Sequence, residues 1–131
     1  MLDGVAMGLP GLTRAIKLQR RAARVGFDWP QVDQVLDKLV EEARELTEAR
    51  AAMSQPEVEE EFGDLLFVVA NLARHLDVDP ETALRAANAK FTRRFAFIEH
   101  ALTQDGRTPA QSTLEEMDSL WDAAKTGEKS S

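Results

Sequence analysis

This sequence predicts an all-α fold, an antiparallel bundle of four main helices with a short extra C-terminal helix. Apolar residues recur at the three-and-four spacing of a buried helix face in four long segments. Strand signals are missing: tyrosine is absent, β-branched residues are scattered, and no period-two alternation persists beyond a few residues. Glycine and proline punctuate the boundaries between the periodic segments, so each segment reads as one helix. Short links between long amphipathic helices favour antiparallel packing.

The elements follow in order. Met1 to Gly11 carries three glycines and a proline and reads as a flexible lead-in or linker remnant. Leu12, Ala15, Ile16, Leu18, Ala22 and Val25 mark a first helix, which Gly26 ends. Pro30 suits the first turn of a second helix, reaching to about Met53, with a stripe of Val32, Val35 or Leu36, Leu39 and Leu46. Pro56 opens a third helix that ends near Leu76, with a seam of Val58, Phe62, Leu65, Val69, Leu72 and Leu76. Asp79-Pro80-Glu81 opens a fourth, running to about Thr103 with Leu84, Phe91, Phe95, Ile98 and Leu102 on its apolar face. Gln104 to Ala110 reads as a loop. Ser112 with Glu115 reads as a capping box for a short final helix through Leu120 and Trp121, ahead of a polar tail over 125–131. Residues 12–124 therefore form one helical domain.

Composition narrows the function. With 131 residues, 44% of them hydrophobic, the chain supports one domain with a core and is too short for two. The absence of cysteine excludes disulfides, thiolate metal sites and cysteine nucleophiles. No apolar run approaches the roughly 20 residues of a membrane span, and no basic-then-apolar leader opens the chain, so a cytoplasmic protein is expected. A net charge of -7 argues against a duplex nucleic-acid binder, which needs a basic face for phosphates; single nucleotides remain compatible.

The chemistry concentrates in two acidic clusters, Glu41-Glu42-Ala43-Arg44-Glu45 and, fifteen residues on, Glu61-Phe62-Gly63-Asp64. Residues three apart share a helix face, so Glu42 with Glu45, and Glu61 with Asp64, each make a two-carboxylate claw. Such spacing also arises by accident on solvated helix faces of an acidic chain. Position argues against accident. Glu42 falls in the slot between Leu39 and Leu46 where a leucine is expected, and Glu61 and Asp64 lie beside the third helix's seam, on a row continued by Val68 and Asn71. Carboxylates bordering a core need a compensating cation, and oxygen donors suit Mg²⁺, with Mn²⁺ as the alternative. Lys90 and Arg94, four apart on the fourth helix, and Lys38, four before Glu42, are the cations to meet phosphate oxygens that a metal leaves uncovered. Asn88 stands between Leu84 and Phe91, where it can hydrogen-bond a ligand, and Trp121 can stack on a base. The blander readings are ion pairs to neighbouring acids for Lys90 and Arg94, a backbone contact for Asn88 and a core position for Trp121. Arg14, Lys17, Arg20, Arg21 and Arg24 read as a solvated face or one side of an acidic interface.

These residues resemble the MazG nucleoside triphosphate pyrophosphohydrolases of the all-α NTP pyrophosphatase superfamily, whose pattern is EExxE, a gap, then ExxD. The likeness extends through Gly26-Phe27-Asp28-Trp29, Gly63-Asp64-Leu65-Leu66-Phe67 and Asn88-Ala89-Lys90-Phe91-Thr92-Arg93-Arg94-Phe95, covering Gly8 to Trp121. It resembles the catalytic C-terminal half of two-domain MazG proteins, and the glycine-rich start resembles the linker after a missing first half. The resemblance implies Mg²⁺-dependent hydrolysis of NTPs and dNTPs between the α and β phosphates, giving a monophosphate and pyrophosphate. It implies metal ligands at Glu42, Glu45, Glu61 and Asp64, triphosphate contacts at Lys38, Lys90 and Arg94, Trp121 near the nucleoside, and a homodimer or homotetramer. Broad specificity, a nucleotide-pool house-cleaning role, is expected. Glu45 is the expected general base, with Glu41 behind it.

Three rivals stand beside this reading. A pyrimidine-specific dUTP or dCTP pyrophosphatase differs only in pocket shape. A non-catalytic oligomeric interaction or regulatory module predicts no metal-dependent nucleotide binding. A di-iron carboxylate bundle needs Glu-x-x-His pairs, whereas Leu72 and Phe97 stand three residues before His75 and His100.

Overall fold

The computed structural model describes residues 2–130. Its helices are α1 (Gly11–Ala23), α2 (Val32–Ala49), α3 (Gln55–His75), α4 (Pro80–Gln104) and α5 (Leu114–Ser130), with a 3-10 turn at Pro109–Gln111. No strand occurs among the described residues, as an all-α chain requires. The chain divides into two compact units, Met1–Ala83 and Leu84–Ser131.

In the first unit α3 is central, with α1 and α2 both packed on it. The α1–α3 contact is built on Ala15, Ile16, Ala70 and Ala73, with Leu12 partly buried at its edge. Three of those four are alanines, and small residues let two helix backbones approach closely before side chains collide. Gln19 is buried in the same face, and its Nε2 donates to the backbone oxygen of Phe67 on α3 at 2.9 Å. A buried amide needs such a partner, and this one ties α1 to the middle of α3.

Local chemistry fixes the helix ends. Ser54 and Glu57 form a reciprocal capping box at the start of α3, with Pro56 in its first turn. Three helix ends share one turn, in which a residue with positive φ lets the next N–H reach the carbonyl five residues back. Gly26 (φ 90°) precedes the Phe27 N–H to Ala22 bond, Asp77 (φ 56°) the Val78 to Ala73 bond, and Gly106 (φ 72°) the Arg107 to Leu102 bond. Glycine adopts that conformation freely; Asp77 does so at a steric cost. Asp28, two residues past Gly26, is held to the end of α3: its Oδ1 accepts from Arg74 and lies 3.1 Å from His75 Nε2. Burial by itself pushes the Asp28 carboxyl up, but the hydrogen bonds and charges of Arg74 and His75 outweigh it and hold the group below its ordinary range.

In the second unit α5 meets α4 through side chains. Trp121 packs on Phe91 with ring centroids 5.6 Å apart, and Glu128 meets Arg93 and Arg94. Arg107 grips Glu116 at both carboxylate oxygens, 2.8 and 2.6 Å, and the hydroxyl of Ser112 also donates to that carboxylate. Those bonds, Arg107's foremost, lower the Glu116 carboxyl to about 2.

Several boundaries and faces differ from the sequence expectations. Val25 lies beyond α1 and is exposed. Pro30 precedes α2 instead of opening it, because Gln31 occupies the boundary in an extended conformation. The seam expected on α3 is rotated: Phe62 and Leu76 are half-exposed, whereas Val68, Ala70, Asn71 and Ala73 are buried. Glu61 therefore lies on the row that leads into the core. On α4 the apolar stripe is buried only at Ile98 and Leu102, while Leu84 and Phe91 are exposed. The 3-10 turn replaces part of the expected loop. The α5 cap is Thr113, whose Oγ1 accepts from the Glu116 N–H, in place of the expected Ser112–Glu115 box. Helix α5 also continues past Trp121 to Ser130. Within the expected lead-in, Val5 is buried. Met1, and Ser131 at the end of the expected tail, lie outside the described residues.

Candidate active site

The acidic residues come from the two helices that pack together in the first unit. On α2, Val35 is fully buried, and Leu39, Glu42, Ala43 and Leu46 follow it at helical spacing as half-buried positions. Glu42 occupies a slot in this face, its side chain only 14% exposed. On α3, Glu61 is half-buried, three residues before Asp64 and seven before the buried Val68. Glu41, Glu45 and Asp64 are exposed. Each claw thus has one carboxylate turned into the α2–α3 packing and one toward solvent.

Electrostatics links the two claws. The Glu61 carboxyl is pushed up, first by burial and then by the negative charges of Asp64, Glu42, Glu60 and Glu45. Lys38 answers part of that charge. Its Nζ lies 2.9 Å from Glu42 Oε1, and its ammonium is held above its ordinary range by that hydrogen bond and by the charges of Glu42, Glu41 and Glu45. One half-buried lysine does not neutralise five carboxylates. The donor set, all carboxylate oxygen and mutually repelling, fits a hard divalent cation. It is not a ready-made cage: among the described residues no three acidic or histidine side chains converge closely enough to hold an ion.

The remaining candidates lie in the second unit. Arg94 is the most constrained: its side chain is 11% exposed, its guanidinium carbon lies 5.2 Å from the centroid of the Trp121 ring, and its Nε and Nη2 both donate to Glu128 Oε2 at 3.1 and 3.0 Å. Trp121 is half-buried between this cation and Phe91, which stacks in turn on Phe95. Lys90 is exposed, one helical turn before Arg94, with no ion pair among the described residues. Asn88 is exposed, and its carbonyl accepts from Thr92 Oγ1.

Sequence reasoning missed Glu128, Phe91 and Gln19 as members of these arrangements. Glu128 sits in a stretch read as tail, Phe91 was placed on a buried stripe, and a glutamine among apolar positions carries no distinguishing signal. Two open clefts, about 320 and 330 Å³, lie elsewhere. One is lined by Thr13, Ile16, Lys17, Arg20 and the Asp77–Pro80 turn, the other by Lys17, Arg20, Arg21, Arg24 and the N-terminal segment. The acidic claws line neither.

The chain is all-α, with paired acids on two packed helices of its first unit and a cationic, aromatic face in its second. The family described as the MazG nucleotide pyrophosphohydrolase domain matches residues 31–96, half of the chain, and the chain belongs to that family. It is 44% identical to a nucleoside triphosphate pyrophosphohydrolase/pyrophosphatase MazG of Thermotoga maritima, over 92% of this chain and 46% of that protein. It is 46% identical to a nucleoside triphosphate pyrophosphohydrolase of Escherichia coli K12, over 97% of this chain and 49% of that protein. It is also 43% identical to an uncharacterized protein of Bacillus subtilis, YabN, over the whole of this chain and 27% of that protein. The chain thus spans about half the length, or less, of the curated relatives it matches.

Proposed function

We propose that this chain is a nucleoside triphosphate pyrophosphohydrolase, cleaving NTPs and dNTPs between the α and β phosphates with broad base tolerance. The observation that carries the reading is the placement of Glu42 and Glu61, half-buried on packed helices with Glu45 and Asp64 three residues beyond them. Membership of the MazG family and the names of the relatives support the reaction class.

Glu42, Glu45, Glu61 and Asp64 would hold Mg²⁺, or Mn²⁺ in its place, which supplies charge neutralisation for the phosphates and acidifies water. Lys38, Lys90 and Arg94 are the residues proposed for the triphosphate, Asn88 for a hydrogen bond to the ligand and Trp121 for the nucleoside. Glu45, the exposed acid of the α2 claw, takes the proton of the attacking water. The water oxygen forms its bond to the α phosphorus as the bond to the bridging α–β oxygen breaks, and pyrophosphate leaves. Glu41, one residue before Glu42, adds negative charge behind the pair. Leu36 and Val40 on α2 and Phe62, Leu66 and Phe67 on α3 remain 40–54% exposed, which supports burial of this face in a homodimer or homotetramer.

The test is pyrophosphate release from the eight common NTPs and dNTPs with Mg²⁺, alongside EDTA and Glu42→Ala. Release from several substrates, abolished by both controls, is the expected result. Release from one pyrimidine nucleotide alone moves the chain to the dUTP or dCTP enzymes, and no release from any refutes the reading.

A further inference from the structure

Arg94 is held on two sides by its own unit. The Trp121 ring lies against its guanidinium, and Glu128 takes the Nε–Nη2 edge through Oε2, while its Oε1 accepts from Arg93 Nε at 2.9 Å. A guanidinium carries five N–H donors in a rigid plane. Glu128 uses Nε–H and one Nη2–H, which leaves the far edge, both Nη1 hydrogens and the second Nη2 hydrogen, as a fork of the shape that a phosphate group accepts. The ring fixes the plane and the carboxylate fixes rotation within it. Without Glu128 the three-carbon stem of Arg94 is free to sample other rotamers, and the entropy of choosing one falls on the binding step. The same carboxylate lies on two adjacent arginines, so its single negative charge leaves the arginine pair net positive. The bonds from Arg93 and then Arg94 hold Glu128 below the ordinary carboxylate range, so it stays ionised at neutral pH.

We propose that Glu128, near the C-terminal end of α5, is a positioning residue that pre-orients Arg94 for an anionic polyphosphate. The proposal rests on the assignment of Arg94 to the triphosphate, and it deepens that assignment by adding the group behind it.

The experiment measures binding of inorganic tripolyphosphate by calorimetry and KM and kcat for dTTP with Mg²⁺, for the wild type, Glu128→Ala, Glu128→Gln, Arg94→Ala and the double variant. Tripolyphosphate reports on anion recognition without turnover, so it separates this proposal from the hydrolytic reading. We expect Glu128→Ala to weaken tripolyphosphate about fivefold or more, in line with losses on removing a group that orients a ligand-binding side chain. KM should rise by more than kcat falls, Glu128→Gln should retain part of the effect, and Glu128→Ala should add nothing once Arg94 is alanine. Tripolyphosphate binding that is weakened in Glu128→Ala, beside a wild type that binds it but hydrolyses no nucleotide, would uphold the positioning role and refute the enzymatic reading. Unchanged or tighter binding in Glu128→Ala, full additivity with Arg94→Ala, or no tripolyphosphate binding by the wild type overturns the proposal.

Discussion

Glu61 illustrates how a single residue proposed for the metal site can cost stability. Its carboxyl is half-buried and faces like charges, so its ionised form is disfavoured in the folded chain relative to the unfolded one. The sign follows: a carboxyl raised by folding costs nothing at low pH and destabilises once pH passes the ordinary carboxylate range. Glu61→Gln should therefore raise the metal-free unfolding midpoint at pH 7 while lowering pyrophosphate release at least about 100-fold, since losing even a group behind metal ligands costs up to that much. Scanning calorimetry and an activity assay on one preparation check both halves. Glu116 behaves oppositely. Its folded value, about 2 against an ordinary 4.5, means that its bond to Arg107 stabilises fully above pH 4.5 and is lost as pH falls toward 2. Denaturant titrations should show wild type more stable than Glu116→Gln at pH 6, with the gap closing by pH 2.

At the scale of an element, helix identity was legible and helix rotation was not. Pro56, Gly26 and the Asp79-Pro80 step each act through local backbone chemistry and fall at helix boundaries or their adjoining turns. The rotation of α3 depends on what packs against it. Phe62 and Leu76 continue a plausible apolar seam, yet α1 approaches the alanines at 70 and 73, so the helix turns its small residues inward and leaves Phe62 half-exposed. Glu42's place in the α2 face and Glu61's place at the core border, on the row of Val68 and Asn71, could both be read from spacing, whereas the burial of that row in preference to Phe62 and Leu76 could not. The partner of Arg94 was hidden for a related reason: Glu128 lies in a polar stretch whose helical continuation past Trp121 has no apolar stripe to announce it. Asp77 offers a test of the shared helix-end turn. Its φ of 56° strains any residue with a Cβ, and aspartate tolerates it better than alanine. Asp77→Ala should destabilise by about 1 kcal/mol and Asp77→Gly by less or not at all, read from chemical denaturation.

For the whole molecule, the exposed apolar residues of α2 and α3 bear on assembly. Large contiguous apolar faces are rare on monomers, and we propose that a second copy of the chain covers these residues. Light scattering should give a dimer or tetramer for the wild type, and Phe62→Asp with Leu66→Asp should shift it to monomer; a wild-type monomer would refute the proposed assembly. No helix among the described residues is long and apolar enough to cross a membrane.

The central claim is that the carboxylates of α2 and α3 drive hydrolysis at the α–β bond. Phosphorus-31 NMR of a dNTP incubated with Mg²⁺ and the wild-type chain, beside Glu61→Gln, tests it most directly. The account predicts a nucleoside monophosphate and pyrophosphate in equal amounts from the wild type and intact triphosphate from Glu61→Gln. A nucleoside diphosphate with inorganic phosphate, or equal turnover by the two proteins, would contradict it.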